Sequence, residues 1–201
     1  MNQPYDFKTV ESIVQTHWEA TNCFKFEDKP GRPNYSMFLT APNASGPIHI
    51  GNALMVAIQD VMARYYRADG YNLLWVPSID HGGYETQITF ERKTEADGKT
   101  REEHHPRELF NQIEAFVEEN KAIIVDQIKS LGASVDWSLL SYSMDEESTE
   151  QVERLFRKLV DDGLVYRGSY MMNYCPHCAT VLAEVELSKK EQPTKRYQVK
   201  L

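Results

Sequence analysis

Apolar positions along this chain follow two rhythms, one suited to helices and one to short strands. Phe7, Val10, Ile13, Val14 and Trp18 recur every three or four positions, which predicts a helix over Phe7–Ala20 with Asp6 as its cap. The run Met37–Leu39 predicts a strand, and Pro42, Gly46, Pro47 and Gly51 then break it. Leu54, Ile58, Val61 and Tyr65 return to helical spacing, with Gly70 placed to end the helix in a left-handed cap. Leu73–Val76 is a second strand. Further on, the pattern predicts helices over Thr86–Ala96, from Pro106 to Gly132, and from an Asp145 cap to about Asp162 with Val152, Leu155, Phe156 and Leu159 facing inward. Leu164–Tyr166 is expected as a strand beside the first two. Ala183–Leu187 and Tyr197–Leu201 are expected as a closing hairpin.

A strand, a crossover helix and a second strand make a βαβ unit with parallel strands, so the expected fold class is α/β with a Rossmann-like parallel sheet. Such units bind nucleotides where the first strand ends. The first backbone N–H groups of the helix lack partners there and sit at the positive end of its dipole, which favours an anion. The turn carries neither a Gly-x-Gly-x-x-Gly fingerprint nor a Walker loop. It places His49 and Asn52 three positions apart, so both side chains can donate to phosphate oxygens, and Gly51 lets a base or ribose approach the backbone.

Composition narrows the setting. With 41% apolar and 26% charged residues among 201, the chain has the balance of an ordinary globular protein. No apolar run is long enough to span a bilayer, the start carries no secretory signal, and three cysteines suit a reducing cytoplasm. A net charge of −8 argues against holding nucleic acid by general attraction to phosphates, so DNA is not an expected partner.

Pro42-Asn43-x-x-Gly46-x-x-His49-Ile50-Gly51-Asn52 resembles the HIGH signature of class I aminoacyl-tRNA synthetases. Trp75-Val76-Pro77, Asp80-His81-Gly82-Gly83 and Glu85-Thr86-Gln87 are similar to the pattern of the valyl subgroup, as is Val135-Asp136-Trp137-Ser138 before Met144-Asp145. The resemblance covers essentially the whole chain but only the first part of a synthetase. It implies a lead-in helix and connector over 1–34, the first half of the catalytic domain over 35–168, and a CxxC knuckle with the start of an editing insertion over 169–201. It implies ATP with Mg²⁺, valine and tRNA(Val) as partners. His49 and Asn52 would be catalytic and, with Gly51, ATP-binding; Pro42, Asn43 and Asp80 would position the amino acid, Asp80 by taking its α-amino group. Asp80 as a cap of the following helix is the structural alternative. His81 is divided between the substrate pocket and a structural hydrogen bond.

Cys175-Pro176-His177-Cys178 supplies two thiols at a spacing that forms half of a tetrahedral zinc site. A half-site completed elsewhere, a redox pair and two thiols remain the alternatives. Three departures from the family pattern stand out. Asn52 replaces the final His of the signature, Thr40-Ala41 replaces a Pro-Pro, and the Lys-Met-Ser-Lys-Ser loop is absent, Leu187-Ser188-Lys189-Lys190 being only superficially similar. Two rivals remain: an isoleucyl enzyme, favoured by Leu182-Ala183-Glu184 but opposed by Asp80–Gln87 and by Glu91-Arg92-Lys93 with Gly98-Lys99-Thr100-Arg101, and a non-catalytic binding module derived from a synthetase.

Overall fold

The computed structural model describes residues 5–98, 105–176, 179–184, 187–188, 190–191, 193, 195 and 198. Two compact units divide the chain, residues 1–154 and 155–201.

Three parallel segments form the centre of the first unit. β1 (Asn34–Phe38) pairs with β2 (Asn72–Val76), Tyr35 lying opposite Leu73 and Met37 opposite Trp75. Pro77 has no N–H to give the ladder, and the pairing changes partner there. Beyond it β3 (Ser78–Ile79) pairs with β4 (Ser141–Tyr142). Backbone bonds outside the named strands extend both ladders: Leu39 N–H donates to the Val76 carbonyl (2.9 Å) and Asp136 N–H to the Trp75 carbonyl (3.1 Å). Residues 72–80 thus run between 34–44 on one side and 133–143 on the other.

The core is built on this middle segment. Leu73, Trp75 and Ile79 pack with Leu39 and Val135 from the flanking segments, and with Val56 and Ala63 of α2 (Ile50–Ala68) and Val117, Ile124 and Ile128 of α4 (Pro106–Ser130). Asp60, Arg67 and Ser134 clasp α2 to the third segment. Asp60 Oδ1 accepts from Ser134 N–H (2.8 Å) and from its hydroxyl (2.6 Å), while Arg67 donates to the Ser134 hydroxyl and carbonyl (both 2.6 Å). Burial holds the Arg67 pKa below its usual value, with Asp60 opposing that shift.

Helix positions match the sequence expectations more closely than helix orientations do. α1 spans Phe7–Thr21, α3 Tyr84–Ala96 and α5 Glu146–Asp161. Pro106 opens α4 as expected, and Gly132, at φ +76°, follows its end. Asp6 precedes α1 but makes no capping bond; its carboxylate takes the Thr9 hydroxyl instead. The stripe expected to pack α2 points away from the core: Leu54, Ile58, Val61 and Tyr65 are 61%, 55%, 68% and 62% exposed. Small Ala63 and slim Val56 face the sheet instead, which lets the helix approach closely. Val152, Leu155 and Phe156 of α5 are likewise exposed rather than inward.

Leu164–Tyr166 is not a strand. The segment has no ladder partner among the described residues, and Leu164 and Tyr166 are exposed. The third parallel partner is β4, which carried no strand signal. In the second unit β5 (Tyr174–Cys175) and β6 (Thr180–Val181) form a short antiparallel pair. Val185, Glu186, Tyr197 and Val199–Leu201 of the expected closing hairpin lie outside the described residues, and Glu184 sits in a 3-10 turn.

Candidate functional site

The residues expected to bind ATP and the amino acid lie at the carboxyl ends of the parallel segments of the first unit, where open α/β sheets collect ligands. They form two groups joined by the chain from Leu39 to His49, with no hydrogen bond between the groups among the described residues.

The first group is the start of α2. His49 is its N-cap, and the imidazole Nδ1 accepts from Gly51 N–H (3.0 Å) and Asn52 N–H (3.3 Å). Asn52 Oδ1 returns the contact by accepting from His49 N–H (3.2 Å), a reciprocal capping box. This corrects the expectation of unpaired backbone N–H groups waiting for an anion, since two of them are already satisfied by the imidazole. The cap consumes acceptors and spares donors. With Nδ1 accepting, the neutral ring carries its proton on Nε2, and Asn52 keeps its amide N–H₂. Neither donor has a partner among the described residues, and both stand at the positive end of a 19-residue helix.

Gly51 has a reason the sequence did not reveal. A Cβ there would lie 2.8 Å from His49 Cε1 and 2.9 Å from Nδ1, so the missing side chain is the space the imidazole occupies. The turn before it is tied down by α4, as Gln127 Oε1 accepts from Ile48 N–H (2.8 Å).

The second group surrounds Asp80. Pro42 is buried, and its carbonyl accepts from Asp80 N–H (2.9 Å), while Ala44 N–H donates to the Asp80 carbonyl (2.8 Å). Asn43 and Asp80 are thereby paired across an isolated parallel bridge. The Asp80 carboxylate does not cap α3: that helix begins after Gly83 with no side-chain cap, and Asp80 Oδ1 accepts from the Ser143 hydroxyl (2.8 Å). His81 takes a structural bond, its Nδ1 accepting from Gly83 N–H (3.0 Å). Gly82, at φ +76°, allows the close fit, because a Cβ would meet Thr86 Oγ1 at 2.7 Å and the Asn43 side chain at 3.1 Å. Asn43 donates to Glu85 Oε2 (2.9 Å).

Carboxylates outnumber cations around Tyr142. Tyr142 stays a neutral phenol, its pKa pushed up to about 12 by burial first and then by Glu118, Asp80 and Glu114. Lys121 lies 4.1 Å over the Tyr142 ring and pairs with Glu118 (2.8 Å), and among the described residues no ion pair engages Asp80. Ser143 and Gln127 are contributors that sequence reasoning missed, and Glu85, read there only as part of a motif, is a third through its bond to Asn43.

Of the cysteine pair, Cys175 ends β5 and Cys178 lies outside the described residues. Among the described residues no group of three or more His, Cys, Asp or Glu side chains is placed to hold a metal ion. No helix among them is long and apolar enough to cross a membrane.

Several known proteins are similar to this chain in fold or sequence. The crystal structure titled as the ternary complex of Agrobacterium radiobacter K84 agnB2 LeuRS, tRNA and LeuAMS matches with a TM-score of 0.74 at 22% identity, over 90% of this chain and 21% of that one; this likeness concerns the fold. The valine–tRNA ligase of Desulfotalea psychrophila is 32% identical over 200 residues, 100% of this chain and 22% of the relative. That of Thermus thermophilus is 36% identical over 193 residues, 96% of this chain and 22% of the relative. The chain spans about a fifth of the length of these relatives. Residues 13–199 match the family described as tRNA synthetases class I (I, L, M and V), and with nearly the whole chain inside that match, the chain belongs to this family.

Proposed function

We propose that this chain is the amino-terminal part of the catalytic domain of a valine–tRNA ligase acting in cytoplasmic protein biosynthesis. The observation that carries the reading is the capping box, which turns His49 Nε2–H and the Asn52 amide outward together at the positive end of α2. The names of the curated relatives support valine as the amino acid. In the first step the valine carboxylate attacks the α-phosphorus of ATP, an oxygen–phosphorus bond forms, and pyrophosphate leaves with the electrons of the bond that breaks. In the second, a tRNA(Val) ribose hydroxyl attacks the valyl carbonyl, the carbon–oxygen bond to phosphate breaks, and AMP leaves with its electrons while the hydroxyl proton passes to the departing phosphate.

No side-chain nucleophile is needed, because alignment and stabilisation of developing charge supply the catalysis. His49 and Asn52 donate to phosphate oxygens, and Gly51 serves ATP binding by leaving the imidazole the space it needs to hold that orientation. Asn52 remains a neutral donor in every protonation state, so whatever cationic assistance arises from this pair comes from His49. Pro42 and Asn43 shape the amino-acid side of the turn, and Asp80 receives the ammonium. Mg²⁺ accompanies ATP and offsets phosphate charge. The Cys175 and Cys178 knuckle is read as half of a zinc site, in keeping with the tetrahedral thiolate chemistry of such pairs. Rejection of threonine, the standing example of an isostere that a valyl pocket tolerates, calls for editing outside this segment.

The test is amino-acid-dependent exchange of labelled pyrophosphate into ATP by the complete gene product that contains these residues. Valine should support exchange, with isoleucine and leucine far weaker. Exchange driven by isoleucine or leucine in preference to valine would overturn the specificity, and no exchange with any of the three would favour a binding module.

A further inference from the structure

We propose that Ser143 is a positioning residue for the amino-acid site: it fixes the Asp80 carboxylate so that one chosen oxygen faces the substrate ammonium. The inference rests on the reading of Asp80 given above and assigns its neighbour a task that no motif marks.

Ser143 sits one position past β4, where the third parallel segment meets the middle one. Its backbone N–H donates to the Ile79 carbonyl (3.1 Å), locking it beside the residue that precedes Asp80. Its hydroxyl makes two bonds of opposite sense. Ser143 Oγ accepts from the backbone N–H of His81 (2.9 Å) and donates to Asp80 Oδ1 (2.8 Å). A hydroxyl has only one proton to give. Because an amide N–H already occupies one lone pair, that proton is directed onto the carboxylate, and the bond has a fixed polarity.

Asp80 is thereby held at every level. Its N–H and carbonyl are bound by Pro42 and Ala44, and its Oδ1 by Ser143. Oδ2 is the remaining acceptor, with no partner among the described residues. The nearby cation does not compete for it, since Lys121 is engaged by Glu118 and the Tyr142 ring. Without the Ser143 hydroxyl, the carboxylate would be free to rotate about its terminal torsion, and its ammonium contact would be made by a mixture of orientations. Ser143 is exposed, so a β-branched side chain fits without crowding the core.

The experiment compares Ser143→Thr, which keeps the hydroxyl, with Ser143→Val, which has the same shape without it, and with Asp80→Asn. All are measured by pyrophosphate exchange in the complete gene product, with thermal unfolding as a check of folding. Ser143→Val should raise KM for the amino acid roughly tenfold, the scale of one hydrogen bond to a charged group, and leave KM for ATP within about twofold. Ser143→Thr should restore the wild-type value. Equal behaviour of the Thr and Val variants, or parallel rises in both KM values, would overturn the positioning role. If Asp80→Asn raises KM for the amino acid while Ser143→Val does not, the role of Ser143 fails and that of Asp80 stands. If Asp80→Asn also leaves it unchanged, both fail.

Discussion

Replacing Gly51 by alanine separates function from stability at the start of α2. The new methyl would sit 2.8 Å from His49 Cε1, closer than any relaxed contact, and the imidazole is the partner able to move. Rotating it away gives up its bonds to Gly51 N–H and Asn52 N–H, a loss of about 1 kcal/mol for an N-cap. Alanine, however, is better than glycine by roughly 0.8–1.0 kcal/mol in a helix interior and by less in the first turn, where Gly51 lies. The second effect offsets part of the first, so the Gly51→Ala chain should unfold within about 1 kcal/mol of wild type. Function has no such compensation. Nε2–H leaves the position it shares with the Asn52 amide, and on the proposed function one phosphate bond worth about 1.5–3 kcal/mol should be lost, or roughly tenfold to more than a hundredfold in the exchange rate. Denaturant unfolding of the 201-residue chain and pyrophosphate exchange by the complete gene product measure the two quantities independently. Unimpaired exchange in the alanine variant, or destabilisation beyond about 2 kcal/mol, would refute this account of the glycine.

Two other perturbations follow from the same structure. Asp145 Oδ1 accepts from Ser148 N–H at the start of α5 and Oδ2 from Tyr142 N–H, and these bonds, that of Ser148 foremost, hold its pKa below the usual value. A depressed carboxylate contributes stability above its unfolded pKa and loses it as pH falls through the folded one, so the contribution should fade as pH drops from about 4 downward. Asp145→Asn should flatten that part of a stability profile measured by circular dichroism, and an unchanged profile would count against the cap. The outward stripe of α2 predicts that Leu54→Lys together with Ile58→Lys lowers binding of an apolar-surface dye while stability stays within about 0.5 kcal/mol per site; a cooperative loss of stability would show that these residues pack after all.

The turn that opens α2 was legible because glycine and proline act locally, although the capping box that His49 and Asn52 form was not foreseen. His49, Gly51 and Asn52 lie within one turn of chain, and their geometry depends on little else. Facing was another matter. α2 has apolar residues on two sides, and periodicity alone does not say which side meets the sheet; the close approach permitted by Ala63 decided it. The third strand was missed because Ser141–Tyr142 has no apolar run and is extended only through its bonds to Pro77 and Ile79. Ser143, Glu85 and Gln127 act across 63, 42 and 79 positions of chain, distances at which no local pattern signals a contact.

The clasp of Asp60 and Arg67 on Ser134 bears on how the molecule assembles. Its members stand 74 and 67 positions apart, so the contact closes only after α3 and α4 have been laid down between them. Loops of that length are slow to close and return nothing until their ends meet. The β1–α2–β2 unit can therefore form early from nearby chain, whereas the corner around Asp80 waits for the last parallel segment to arrive. A nascent chain would hold the finished cap of His49 and Asn52 before Ser143 could reach Asp80.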